Sequence, residues 1–155
     1  MKFSAQEEYG IRCLLQIAEK GPDGMSTIPE IAKLEGITEP HAAKLLSLLR
    51  KGEFIKSTRG QSGGYRLSRS PEQITIGEVL NCLGGRLYDD GFCIRHSGTD
   101  EECVHRDDCV VGELWSRIQF VVDQLVNSTT LADVAQRRWA PGRENLEPLP
   151  IIERL

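Results

Sequence analysis

The chain has 155 residues, 39% of them hydrophobic and 27% charged, with a net charge of −4. That length supports one compact domain with an arm or dimerisation element and leaves no room for two large domains. No apolar run approaches the roughly 20 residues of a membrane span, and Met1 to Glu8 lack the basic-then-apolar order of a secretion signal. No membrane partner is therefore expected, and the expected location is the cytoplasm.

The acidic total conceals an uneven distribution. Residues 1–70 carry 11 Lys and Arg against 8 Asp and Glu, whereas residues 71–155 carry 8 against 15. Within 38–70 the count is 7 basic to 2 acidic. A local basic face can hold phosphates while the acidic remainder keeps the chain in solution, so the total does not exclude a nucleic-acid partner.

In chain order, Ser4 with Glu7 three residues on is a capping box. Ile11, Leu14, Leu15, Ile17 and Ala18 then recur at helical spacing until Gly21-Pro22, which predicts a helix over 4–19. Thr27 with Glu30 opens a short helix over 28–35, closed by Gly36. Thr38 caps a third, with Pro40 in its first turn and Ala42, Leu45, Leu46, Leu48 and Leu49 as its apolar side up to Lys51-Gly52. Two short helices joined by Gly36-Ile37-Thr38 read as a helix-turn-helix, a pattern that any helical hairpin shares. The runs 54–57 and 65–68 are strand-like and bracket a connection holding Gly60, Gly63 and Gly64, which predicts a hairpin. A hairpin directly after a candidate recognition helix is the layout of a winged helix. His41 and Lys44 on that helix, Arg59, Gln61 and Ser62 at the hairpin tip, and Arg66 on its return strand are then the candidate DNA contacts.

Thr75 begins a further helix that runs to Gly84-Gly85. The polar stretch 85–108 has too few large apolar residues to order itself, and a loop of that length is usually functional or disordered. From Cys109, residues Val111, Leu114, Trp115, Ile118, Val121, Val122 and Leu125 form an apolar seam of helical period, which calls for a partner helix. Pro141, Pro148 and Pro150 predict an irregular tail.

Five cysteines are an odd number for a disulfide framework. Cys13 and Cys82 fall within apolar helical patterns and read as small buried hydrophobes. Cys93, Cys103 and Cys109 cluster in the polar loop and at the mouth of the long helix, and soft thiolates gathered by a loop suit an iron–sulfur cluster or zinc. Zinc sites commonly use tight CxxC pairs, which are absent; a thiol–disulfide switch is the remaining alternative. Glu8, His96 and His105 are candidates for a fourth ligand. No nucleophile–base constellation points to an enzyme.

These segments together resemble the Rrf-type family of bacterial iron–sulfur winged-helix transcription regulators. The resemblance rests on Met1 to Ser4 with Glu8 to Arg12, on His41 to Leu46, Leu49 to Gly52, Ser57 to Leu67 and Ile74 to Val79, and on three cysteines before a long helix. It covers almost the whole chain to about residue 137 and implies a mostly α fold with a small β wing. A winged helix-turn-helix domain (1–83) would be followed by a cluster-binding loop (84–109), a dimerisation helix region (110–138) and the tail (139–155). It further implies a homodimer on double-stranded promoter DNA, with one cluster of two or four irons per subunit held by Cys93, Cys103 and Cys109. In IscR-like members a His three residues after the third cysteine is the fourth ligand, and here that position is Gly112. In NsrR-like members a first-helix carboxylate from the other subunit serves, and Glu8 occupies the matching place. The spacing from Cys93 to Cys103 is longer than is usual in either group.

Overall fold

The computed structural model describes residues 3–58, 60, 63–89, 91–95, 103, 105 and 108–138, with Cys93 by its backbone alone. Helix α1 (Ala5–Glu19) starts where the capping box closes: Ser4 N–H donates to Glu7 Oε2 at 2.6 Å, and Glu7 N–H returns to Ser4 Oγ at 3.3 Å. Helix α2 (Ile28–Glu35) repeats the device with Thr27 and Glu30, and Gly36 ends it in the left-handed region at φ 64°. After Ile37, Thr38 caps α3 (Glu39–Lys51). The hairpin follows as β1 (Ile55–Thr58) and β2 (Gly64–Leu67), antiparallel with Ile55 opposite Leu67 and Lys56 opposite Arg66, one residue off the expected strand limits. Residue 26 adds a third rung, because Ser26 and Tyr65 exchange backbone hydrogen bonds at 3.0 and 2.8 Å.

A 3-10 turn, Pro71–Gln73, leads into α4 (Ile76–Leu83), capped by Thr75 with Glu78. The polar stretch carries one short helix, α5 (Phe92–Arg95), which the sequence did not announce. The long helix α6 (Val110–Ser128) ends one turn later than its apolar seam. The chain then bridges back: Ile76 N–H donates to Thr129 O at 2.9 Å and Leu131 N–H to Ile74 O at 2.8 Å. Thr130 and Asp133 cap the last helix, α7 (Leu131–Ala135).

One core is built from Leu14 and Ile17 of α1, Ile31 of α2, Leu45, Leu46 and Leu49 of α3, Phe54, Ile55, Ile74, Val79 and Leu131, all buried. Leu131 thus places α7 within the winged-helix core, although it follows α6 in sequence. Close packing has a local signature in Gly10: a side chain there would collide with Leu83, so α1 and α4 approach at backbone distance. Cys13 is fully buried, as expected of a small core hydrophobe, whereas Cys82 is only half-buried at the edge of the core, with its Sγ donating to Leu48 O at 3.6 Å. No helix among the described residues is long and apolar enough to cross a membrane.

Candidate functional site

The α2–turn–α3 unit buries Ala42, Leu45, Leu46 and Leu49 and leaves Pro40, Lys44 and Lys51 exposed on the opposite side of α3. Lys44 and Lys51 lie seven residues apart and so share a face. His41 is held more tightly than its position in the first turn suggested. Its backbone N–H donates to Thr38 Oγ1 at 3.4 Å, and its ring meets Tyr9 edge-on with centroids 5.7 Å apart. The guanidinium of Arg12 lies over the same Tyr9 ring at 5.6 Å, so α1 fixes the start of α3.

On the hairpin, Arg66 of β2 stands directly across from Lys56 of β1, and both are exposed. Like charges facing each other across a strand pair are destabilising, and neither cation has a carboxylate partner in ion-pair reach among the described residues. Such a pair is what a polyanion would relieve. Sequence reasoning selected Arg66 and missed Lys56, which only the strand register brings to its side. A groove of about 720 Å³ between the end of α3 and the hairpin is lined by Arg50, Lys56, Ser57 and Ser68, with Glu53, Ile55 and Arg69 completing it. Arg69 is committed elsewhere, to Glu78 at 2.9 Å and to the face of Phe54 at 5.7 Å. Arg59, Gln61 and Ser62 lie outside the described residues.

The second site lies at the mouth of α6. Cys109 is the N-cap residue of that helix, and its Sγ accepts the Gly112 N–H at 3.2 Å. Cys103 and Cys109 together line a pocket of about 120 Å³ with Tyr88, Phe92, Val111, Gly112 and Trp115. Cys93 follows Phe92 directly within α5, so its backbone runs beside this pocket, while its side chain and His96 lie outside the described residues. Both Cys103 and Cys109 are free thiols, and no group of three metal-ligating side chains is complete among the described residues. His105 is exposed in a turn, where its carbonyl accepts the Asp108 N–H at 3.3 Å.

Gly112 has a steric reason. A side chain there would press on Cys109 Sγ and the Tyr88 hydroxyl, each 3.2 Å from the added carbon. Glu8 points outward from α1 and pairs with Arg12 at 3.0 Å, one turn along. The loop before the pocket is tied to α6 by a residue that no sequence signal marked. Gln119, almost fully buried, accepts the Tyr88 N–H at 2.8 Å and donates to Asp123 at 2.7 Å, and Asp123 pairs with Arg86. The outer side of α6 stays bare, with Val111, Leu114 and Val121 57%, 51% and 66% exposed.

Comparison with known proteins agrees with this arrangement. Residues 3–137 match the family described as Rrf2, iron-dependent transcriptional regulator. The HTH-type transcriptional regulator CymR of Bacillus subtilis is 31% identical over 87% of this chain and 90% of its own length. Protein rrf2 of Nitratidesulfovibrio vulgaris is 33% identical over 86% of this chain and 87% of its own. Among solved structures, T. potens IscR superposes with a TM-score of 0.71 at 28% identity, covering 88% of each chain. With its mostly helical fold, two-stranded wing and basic recognition face, the chain belongs to the Rrf2 family of DNA-binding transcription regulators.

Proposed function

We propose that this regulator works in the cytoplasm as a homodimer on double-stranded promoter DNA. It reads redox state, nitric oxide or iron supply through one iron–sulfur cluster per subunit, of two or four irons, held by Cys93, Cys103 and Cys109. The observation that carries the reading is the shared pocket of Cys103 and Cys109 at the head of α6, beside the backbone of Cys93. Soft sulfur donors walled by Tyr88, Phe92, Val111 and Trp115 suit such a group, because the aromatic and aliphatic lining limits access of water. When bound, the cluster supplies a centre that oxidants and nitric oxide attack and that iron shortage removes.

The chain's own residues supply the transmission. Cys109 joins the pocket to the first turn of α6, while Gln119 and Asp123 hold the loop at Arg86 and Tyr88 to the middle of the same helix. The bare face of Val111, Leu114 and Val121 packs on the same helix of a second copy, which sets the separation of the two recognition helices. Residues 1–83, with α7 in their core, bind DNA through Lys44, Lys56 and Arg66, with His41 and the hairpin tip (Arg59, Gln61, Ser62) alongside. Residues 84–109 hold the cluster. Glu8 of the second copy completes the ligand set; its exposure on α1 supports it, and Gly112 has no side chain to serve. His96 and His105 are the alternatives within the loop. Regulation then needs two dimer geometries with different DNA affinity.

Anaerobic purification with an absorption spectrum and iron and sulfide analysis tests this reading. Thiolate-to-iron bands are expected in the wild type and in Cys82→Ala, and none in Cys103→Ala. Glu8→Ala should shift the spectrum without bleaching it. A colourless protein without iron or sulfide, but with a reversible Cys103–Cys109 disulfide by mass spectrometry, would replace the cluster by a dithiol switch. The free thiols sharing one pocket favour that as the second reading. Zinc without sulfide would assign a structural metal instead.

A further inference from the structure

A separate cavity of about 490 Å³ lies between the start of α1, the Gly84–Tyr88 segment and the middle of α6. Its volume falls within the range of small-molecule sites. Its lining is of two kinds. One is apolar, made by Phe92, Trp115 and Ile118 with Tyr88 beside them. The other holds the carboxylate of Glu7, a residue only 8% exposed.

The capping box uses half of that carboxylate. Ser4 N–H and Ser4 Oγ both donate to Oε2, at 2.6 and 2.7 Å. Oε1 receives no donor among the described residues, and no Lys or Arg there forms an ion pair with Glu7. The other polar side chains of the lining are occupied, Arg86 by Asp123 and Gln119 by Tyr88 N–H and Asp123. Gly84 packs against this carboxylate, close enough that a Cβ there would collide with it. A carboxylate oxygen without a donor is open to a cationic or hydrogen-bonding group.

We propose that this cavity is an effector site for a small primary amine with an aromatic or branched apolar body. The ammonium donates to Glu7 Oε1, and the body packs on Tyr88, Phe92, Trp115 and Ile118, where aromatic faces also favour the neighbouring cation. No cysteine lines this cavity, although Tyr88, Phe92 and Trp115 are walls of the cysteine pocket as well. The cavity bridges α1, which positions α3 through Tyr9 and His41, and α6, which carries the bare apolar face. Occupancy therefore favours one spacing of α1 against α6, and any dimer geometry that depends on it.

The test is calorimetric titration of the full-length protein with 2-phenylethylamine, protonated at neutral pH, and with 2-phenylethanol, its neutral counterpart. The amine should saturate the protein and bind about tenfold or more tightly than the alcohol, the weight of a charge-assisted hydrogen bond. Glu7→Gln, which keeps an oxygen to cap Ser4, should bring the amine down to the affinity of the alcohol. Ile118→Trp should abolish binding of both by filling the apolar part. If Glu7→Gln fails to fold, the amine–alcohol difference and Ile118→Trp decide. The proposal is overturned by equal affinity for amine and alcohol, by no saturation with either, or by amine binding that survives both substitutions.

Discussion

Cys13 and Cys109 occupy opposite conditions in one chain. Cys13 lies in the core among Leu14, Ile17 and Leu45, where burial, reinforced by the Glu35 carboxylate, pushes its thiol up to about 12. Cys109 stands at the start of α6, half-exposed, with its sulfur on a backbone N–H and Cys103 in the same pocket. The contrast extends to the regions around them. Helices α1, α2, α4 and α7 each begin with a complete capping box, and α3 begins with a threonine cap. Helix α6 has a sulfur in that place, a weaker acceptor than a hydroxyl. The winged-helix half is therefore specified by short-range signals and a shared core. The cysteine corner lies beside a bare apolar helix face, so it depends on what binds it.

The sharpest way to break this contrast is chemical. At pH 8 a thiol with a pKa near 12 is about 0.01% thiolate, and Cys13 is also shielded by its neighbours. Iodoacetamide on the metal-free, reduced protein should modify Cys103 and Cys109 while leaving Cys13 unlabelled until the chain unfolds, a rate difference of about a thousandfold or more. Cys82, whose thiol is also pushed up by burial, should follow Cys13 in direction. Peptide mapping by mass spectrometry reads all of these sites. Labelling of Cys13 in step with Cys109 would mean that the core opens as readily as the corner.

A smaller effect tests the bare face of α6. Leu114→Glu places a charge in the middle of the exposed apolar face. A monomer is expected by light scattering, with operator affinity down by about a hundredfold, because the second half-site contact becomes an intermolecular event. Thermal unfolding of the winged-helix core should stay close to wild type. A dimer that survives the substitution would put the interface elsewhere.

The wing pair gives an effect of opposite sign on stability and binding. Lys56→Ala removes one member of a facing like-charge pair, so the free protein should gain a few tenths of a kcal/mol. Operator binding should weaken, and the salt slope should fall by about one unit for the lost phosphate contact. Arg66→Ala should do the same, and the two stability gains should not add. Unchanged salt dependence in both variants would remove this face of the hairpin from the DNA contact.

Sequence reading succeeded where a signal and its consequence lie within a few residues. Ser4–Glu7, Thr27–Glu30 and Thr38 marked helix starts that the structure reproduces, and Gly36 marked the turn between α2 and α3. Lys56, Gln119 and Glu7 escaped because their roles come from register or from distant elements. Lys56 matters through a partner ten residues away, and Gln119 through the backbone of Tyr88. Glu7 was legible as a cap, but its second oxygen has meaning only beside Gly84 and Trp115. The return of the chain through Thr130 into the core was hidden because a continuing helical pattern resembles the long helix α6 that it follows.

The smallest expected effect concerns the acids of the capping boxes. Glu30 and Glu78 are held below the ordinary value of 4.5, first by the Thr27 and Thr75 backbone N–H groups respectively, and Asp133 is held below 3.8, first by the Thr130 hydroxyl. A carboxylate whose folded pKa is depressed contributes stability that is present above its unfolded value and lost as pH falls through the folded one. For the glutamates the window therefore opens at 4.5 and extends downward. Glu78→Gln should lower Tm by about 1–3 °C at pH 7, and the difference from wild type should shrink through this window and close once both chains are neutral there. Arg69 makes the exposed Glu78 the better probe, since its ion pair with that carboxylate should weaken with added salt while the backbone cap persists. A difference between Glu78→Gln and wild type that stays constant from pH 7 to pH 2 would mean that the side chain acts by packing and not by charge.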